Sequence, residues 1–397
     1  MRFPRLLPFD HAIRNLGRSP RRLALLVGGS TLVSLLVLGA VAFSRGLEAS
    51  LGASGLATNA LVLAAGSEES VERSEIAPGV ADALATGVDG VAILAAQPLV
   101  SPEIHAALPV SLTGDSASSR GGSDDAPPVL VRGFESAAFA VHPQVRLASG
   151  RWPLPGADEV AAGPQALARV GGTAAGAREG ETLFIAGQPF LVVGTLDAPG
   201  TAMHGEFWMR LDRLAQLTQR TTRSCVVVAL GDAEFDDVDA LVATRLDLES
   251  VAMTESDYYA RLAEFFAPIR ALVLATAILV SCGAALGGLN AMYAAFASRV
   301  REVGTLQALG FSRTAIAVSL AIESLVACSA GALLAAIIAI TLVDGAAVRF
   351  SMGSFALSVD APAIAAGLLA GIILGVVGAV APIIRCLSLP IPIALRQ

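Results

Sequence analysis

Residues 298–313 read S-R-V-R-E-V-G-T-L-Q-A-L-G-F-S-R. The segment is short and basic, and an apolar run flanks it on each side, 271–298 and 315–343. Each run exceeds the about 20 residues that a helix needs to cross a bilayer. Two further runs of that kind lie outward from it, 23–44 and 361–384, so the chain reads as a membrane protein with four transmembrane α-helices. Between the first and second runs lie the 221 residues 45–265, with 29 Asp+Glu against 14 Arg. Segments 1–22, 299–314 and 385–397 together hold 11 Arg and only Asp10 and Glu302 as acids. Excess positive charge on short flanks marks the cytoplasmic side. The expected topology therefore puts both termini and the 299–314 loop inside, and a large acidic domain outside. It divides the chain into a cytoplasmic leader 1–22, spans 23–44, 266–298, 315–343 and 361–384, an outer domain 45–265, an inner loop 299–314, a short outer loop 344–360 and a cytoplasmic tail 385–397.

Composition narrows the chemistry. The chain is 54% hydrophobic with mean hydropathy +0.66, too apolar for an ordinary soluble protein. It contains no lysine. A Walker A loop, a kinase site and a pyridoxal Schiff base each require one, so any ATP used must be hydrolysed by another polypeptide. The four histidines, His11, His105, His142 and His204, show no zinc-ligand spacing. Of the four cysteines only Cys225 lies in the outer domain, so no internal disulfide is available there. Cys282 and Cys328 read as small core residues of apolar helices. Residues 40–42 resemble a signal cleavage site, but the preceding run of 22 residues exceeds the 7–15 of a signal h-region and reads as an uncleaved anchor.

Residues 1–22 place Phe9, Ala12, Ile13 and Leu16 at helical spacing, which predicts a short amphipathic helix on the inner leaflet, stopped before Pro20. A solvated basic leader is the plainer alternative. The outer domain alternates short strand-like runs (60–64, 129–131, 182–185, 190–193, 226–230) with helical stretches (79–85, 163–170, 211–218, 235–246). That mixture predicts a mixed α+β domain of one or two lobes. Residues 113–126 are low-complexity and read as a loop. Nothing in the domain looks catalytic, and Asp124-Asp125 and Asp236-Asp237 read as solvated acidic turns. The short outer loop reads as a cap.

In the opening segment Val300, Val303, Leu306 and Leu309 fall at steps of three, making one apolar stripe on a short helix. Gly310 stands where a glycine C-cap would end it, and Ser312 can start the next helix. Such a helix on a tight hairpin between spans is placed to bind a cytoplasmic partner; the plainer reading is a topology loop that touches nothing. Glu323 lies inside the third run, where an acidic residue costs about 2.5–3.5 kcal/mol at a helix centre. A polar tie to Arg299 or Arg313, snorkelling to the interface and a proton relay are the three readings, the last lacking other buried ionisable groups. Gly367, Gly371, Gly375 and Gly378 form a small-residue face on the fourth run, and Gly283, Gly287 and Gly288 another on the second. Such faces allow close helix contact, within one protomer or across a dimer.

The stretch Arg299-Val-Arg301-Glu302-Val-Gly304-Thr-Leu306-Gln-Ala308-Leu309-Gly310 closely resembles the "RxREIGxLRALG" loop of FtsX/MacB-type ABC transporter permeases. Three further matches extend the resemblance over most of the chain. Ala12-Ile13-Arg14-Asn15-Leu16 looks like the family's N-terminal "ALRNL" helix. Leu147 to Trp152, Asp158-Glu159-Val160 and Phe190 to Gly194 are similar to its periplasmic core domain. The order of one span, a large outer domain and three spans also agrees. Gln307 stands where the family often has Arg, and Phe311 where it often has Ala.

The resemblance implies a bacterial inner-membrane protein, homodimeric or paired with a homologous permease, that works with a separate cytoplasmic ATPase. The chain itself would bind no cofactor; ATP and magnesium would belong to that partner. It would be a non-enzymatic subunit that couples ATP hydrolysis to movement of its outer domain, exporting or extracting a lipid, lipoprotein, amphipathic drug or peptide. A periplasmic adaptor and membrane lipid are further expected partners, and nucleic acid is not, given the acidic outer face. The alternative is a signalling scaffold that activates a cell-wall hydrolase without moving cargo. Arg299, Arg301, Glu302, Gly304, Leu306, Leu309 and Gly310 form the expected coupling segment. Arg301 and Glu302 are the expected docking contacts, and Leu306 and Leu309 are expected to pack the helix onto its neighbours.

Overall fold

The first apolar run does not end where its hydropathy ends. In the computed structural model, which describes residues 20–112, 126–171, 180–297, 300–350 and 353–388, one helix covers Pro20–Ser54. Pro20 opens it, a position where the missing N–H costs nothing. Helix formers Leu47, Glu48 and Ala49 carry it ten residues past Ser44, and it ends just before Gly55. The other long apolar helices are Ala267–Ala297, Arg313–Ile338 (continued by a π turn, Ala339–Val343) and Ala361–Ser388. All four contain stretches long and apolar enough to cross a membrane. The leader, with its Ala12 to Leu16 stretch, and the 113–125 loop lie outside the described residues.

The chain divides into two units, one of span helices and one formed by Leu47–Ala267 with Ala347–Ala356. The second unit is built on one ten-stranded sheet. Its strands run in the order Ser250–Thr254, Asn59–Ala64, Cys225–Ala229, Val100–Ser111, Pro128–Phe134, Phe207–Arg210, Glu159–Ala162, Gln188–Asp197 and Arg146–Gly150, while Thr182–Ile185 pairs with Val100–Ser111 and Gln188–Asp197. Pairing is antiparallel except between Phe207–Arg210 and Pro128–Phe134 and between Glu159–Ala162 and Gln188–Asp197. The strands with an apolar alternation in the sequence are found. Arg146–Gly150, whose residues are mostly exposed, carries no such signal.

Separate cores occupy the two halves of this sheet. In one, Val62, Leu84, Val226, Val228 and Val238 pack together, bringing helices Gly79–Gly87 and Phe235–Thr244 onto the strands. In the other, Ile104, Val131, Leu183, Phe190, Phe207 and Leu214 do the same with helices Pro164–Gly171 and Leu211–Thr218. A third cluster gathers Phe134, Phe139, Trp152 and Trp208, with ring centroids 4.4–6.0 Å apart. Both tryptophans of the chain lie here.

Three sequence readings need correction. Asp237 is not simply a solvated acid: its carboxylate accepts the Glu234 amide at 2.9 Å and closes a capping box on the Phe235–Thr244 helix. Cys282 is exposed rather than in a core. The 344–360 loop is more than a cap, because Ala347–Phe350 and Gly353–Ala356 pair as a hairpin that belongs to the sheet unit, with Phe355 buried.

Candidate functional site

The Val300–Ala308 helix forms between the second and third long helices, with Arg301 and Glu302 in its first turn. Arg299 lies outside the described residues. The helix ends on Gly310, whose φ of +87° only glycine adopts without strain. The Gly310 amide donates to the Gln307 carbonyl at 3.0 Å and the Phe311 amide to the Leu306 carbonyl at 3.1 Å. That pair of bonds is a Schellman motif, and Leu306 and Phe311 complete it by packing into the same cluster. Ser312 then caps the third span, its Oγ accepting the Ala315 amide at 3.2 Å.

Packing splits the apolar stripe. Val303 is buried with Leu26, Ile316, Leu320 and Ile383, Gly304 is buried and Leu306 is partly buried against the same residues. Leu309 is 67% exposed, so the expectation that it packs onto its neighbours does not hold within the chain. The register explains this: the helix stops at Ala308, and Leu309 falls in the turn toward Gly310.

Within the helical unit, glycines sit at the closest contacts. A Cβ on Gly371 would lie 2.5 Å from Ala332 Cβ, and one on Gly331 2.5 Å from the Val27 carbonyl oxygen. Gly367 abuts Leu38, and Gly375 abuts Cys328 and Leu325. Hydroxyls fasten the same helices: Ser30 Oγ donates to the Cys328 carbonyl at 2.7 Å, and Ser324 Oγ to the Gly375 carbonyl at 2.9 Å. Among the described residues, a Cβ on Gly283 or Gly287 would meet nothing within 4 Å. Their helix, Ala267–Ala297, points Leu272, Leu279 and Leu286 outward. Glu323 is only 2% exposed, which does not suit a side chain snorkelling to water.

The sheet unit holds a buried charge cluster. Arg132 donates from Nε and Nη2 to the two oxygens of Glu206 at 2.7 and 2.9 Å, and from Nη1 to Glu103 Oε2 at 2.6 Å. Glu103 also engages His142 Nε2 at 2.7 Å, His105 Nε2 at 3.0 Å and Ser101 Oγ at 3.0 Å. Trp208 Nε1 donates to Glu206 at 2.9 Å. Burial alone would raise the Glu103 carboxyl, but the charges of His142 and Arg132 outweigh it and hold it well below its usual range. Burial opposes charging of His142 too, yet Glu103 raises it; burial and Arg132 together lower His105.

Glu103, His105 and Cys225 lie close enough to share a metal ion. Arg132 already supplies the positive charge beside Glu103 there, at 2.6 Å, and burial, with the charge of Glu103, raises the Cys225 thiol well above its usual range.

Residues 23–245 match the MacB-like periplasmic core domain family, and residues 274–391 match the FtsX-like permease C-terminal family. The chain belongs to the FtsX/MacB-type permeases. Among solved structures it is similar to the periplasmic region of MacB from Actinobacillus actinomycetemcomitans, at 14% identity and TM-score 0.38, over 52% of this chain and 92% of that one. It is also similar to the extracellular domain of the noncanonic ABC-type transporter YknZ from Gram-positive bacteria, at 14% identity and TM-score 0.36, over 49% and 100%. No curated protein sequence matches the chain.

As an FtsX/MacB-type permease the chain is a multi-pass membrane subunit, and its family works with a cytoplasmic ABC ATPase. The three outer-domain stretches that shared in the resemblance, 147–152, 158–160 and 190–194, meet within that domain. Arg151 forms a two-pronged pair with Glu159 at 2.5 and 2.6 Å, and its amide donates to the Val193 carbonyl at 2.9 Å. Gly194 is required because a Cβ there would lie 2.5 Å from the Arg151 carbonyl oxygen. The buried charge cluster was missed by reading the sequence. Its signal is a charged residue inside an apolar strand, Arg132 in Val129-Leu-Val-Arg-Gly-Phe134, since such a charge is buried only with partners. The partners themselves, Glu103 and Glu206, lie 29 and 74 residues away.

Proposed function

We propose that this permease couples ATP hydrolysis by a separate ATPase subunit to movement of its outer domain, and so exports or extracts an amphipathic cargo from the outer leaflet or periplasm. The supporting observation is the Val300–Ala308 helix: Val303 and Leu306 anchor it, the Gly310 motif fixes its end, and Leu309 is left exposed for a partner. Arg301 and Glu302 in its first turn are the docking contacts, and the partner supplies the ATP and magnesium site that a chain without lysine cannot build. Two permeases, identical or homologous, would flank two ATPases, with both termini on the ATPase side.

Purification of the intact protein in mild detergent, beside an Arg301→Glu/Glu302→Arg variant, tests this reading. Recovery of an ABC ATPase with wild type and its loss with the variant is the expected result. No ATPase with wild type, even after cross-linking in cells, would sink it. A co-purifying adaptor supports export, whereas a co-purifying cell-wall hydrolase would point to the signalling alternative.

A further inference from the structure

The sheet unit holds a partly open cavity of about 410 Å³. Part of its lining is apolar and aromatic, with Leu51, Tyr258, Tyr259, Phe265 and Phe355. The rest is dominated by carboxylates: Glu69, Glu72, Glu103, Glu206 and Glu255 face Arg73, Arg132 and His105. Arg132 is already consumed by Glu103 and Glu206. Glu103 and Glu206 are thereby satisfied, and Glu255 accepts hydrogen bonds from Leu56 and Asn59. Glu72 differs. It is half-buried, and its carboxylate makes no hydrogen bond and no close ion pair among the described residues.

We propose that this cavity binds a soluble amphipathic organic cation, its charged head at Glu72 and its apolar body against Tyr258, Tyr259, Phe265 and Phe355. The inference goes beyond the coupling reading and does not depend on it. A half-buried carboxylate without a partner is costly, and a cation relieves that cost. Aromatic faces add attraction for the same charge. The volume lies within the range of small-molecule sites, about 300–1,000 Å³. An anion would meet five carboxylates, and a neutral ligand would leave Glu72 unpaired. A two-chain phospholipid is far larger than the cavity, and its phosphate would face the acids. Burial and the charge of Glu206, partly offset by Arg73, raise the Glu72 carboxyl to about 7. Binding therefore strengthens as pH rises through 7 and Glu72 gives up its proton, with Glu69, Glu103, Glu206 and Glu255 adding negative potential and Arg73 and Arg132 opposing it.

The test is equilibrium dialysis of tetraphenylphosphonium against the full chain in mild detergent, corrected for empty micelles, with its isosteric anion tetraphenylborate dialysed in a separate experiment. Saturable binding of the cation that is stronger at pH 8 than at pH 5.5 and falls at least tenfold in Glu72→Gln is expected, with no saturable binding of tetraphenylborate by itself. Hydrogen exchange on wild type should show protection at 69–73 and 255–265 on binding, which settles the site even if the variant misfolds. Absent saturable binding, equal binding by Glu72→Gln, equally tight binding of the anion by itself, or protection elsewhere would each overturn the proposal. No ATPase takes part, so loss of the coupling reading and loss of this site are separate outcomes.

Discussion

Glu255 accepts a hydrogen bond from the Leu56 amide at 3.1 Å, which ties the start of the Glu255–Phe265 helix to the end of the Pro20–Ser54 helix. Segments near the two ends of the Leu47–Ala267 stretch are thus joined to each other. Asn59 Nδ2 donates to the same oxygen at 2.9 Å, and a Cβ on the intervening Gly55 would lie 2.7 Å from the Glu255 carbonyl oxygen. A carboxylate in a first helical turn is also favoured by the helix dipole.

Glu255→Ala leaves the Leu56 amide and Asn59 Nδ2 without this acceptor. A buried unsatisfied group costs about 1–3 kcal/mol; Asn59 Nδ2 keeps the Val141 carbonyl at 3.0 Å and Leu56 is only partly buried, so a loss of about 1–3 kcal/mol in all is expected. Hydrogen exchange should show faster exchange at Leu56. An unchanged Leu56 rate would mean that this bond does not hold the junction closed.

The buried cluster predicts opposing pH effects on the stability of the sheet unit. Glu103 is depressed, so its contribution is present above the ordinary carboxylate value of about 4.3 and is lost as pH falls through its lower folded value. His142 is raised by Glu103, so its contribution is full below about 6.5 and is lost as pH rises through its higher folded value. His105 is lowered, so its contribution is lost on acidification below about 6.5. Because both tryptophans sit in this unit, their emission in thermal melts reports on it alone. His142→Asn should flatten the decline of stability above pH 6.5; an unaltered slope would rule out His142 as its source.

Arg132→Met should destabilise the same unit by about 3–5 kcal/mol, because Glu103 and Glu206 are left buried without their cation. Restoring the balance with Arg132→Met/Glu206→Gln should recover part of that loss. A double variant no more stable than the single one would argue against charge imbalance as the cause.

Gly371→Val and Gly283→Val separate the two glycine faces. The first places carbon where Ala332 Cβ and Ser34 Oγ already lie, while the second meets open space. Thermal melting in detergent should drop clearly for Gly371→Val, by an overpacking cost of about 1–3 kcal/mol, and stay near wild type for Gly283→Val. Equal losses would contradict this packing.

Leu306→Ser and Leu309→Ser likewise divide the inner helix. Leu306 packs with Phe311 and should cost stability when changed, whereas exposed Leu309 should cost little stability but weaken ATPase recovery. Unchanged ATPase recovery with Leu309→Ser would remove that residue from the docking surface.

The four apolar helices, the acidic domain between the first two, and the turn at Gly310 and Ser312 were legible in the sequence by itself. Each rests on a local rule: hydrophobic length, charge on short flanks, the left-handed φ that glycine tolerates and the hydroxyl that caps a helix. Only the tertiary structure decided which small residues touch. Gly371 and Gly283 belong to equally small-residue faces, and the difference lies in whether another helix packs there. The same holds for Arg132, whose partners come from a neighbouring strand and from the segment before Phe207–Arg210. It holds too for Glu72, which lines one cavity together with the aromatic side chains of Glu255–Phe265. Such contacts depend on strand order and helix packing, which bring together residues far apart in the chain, and no local pattern records that choice.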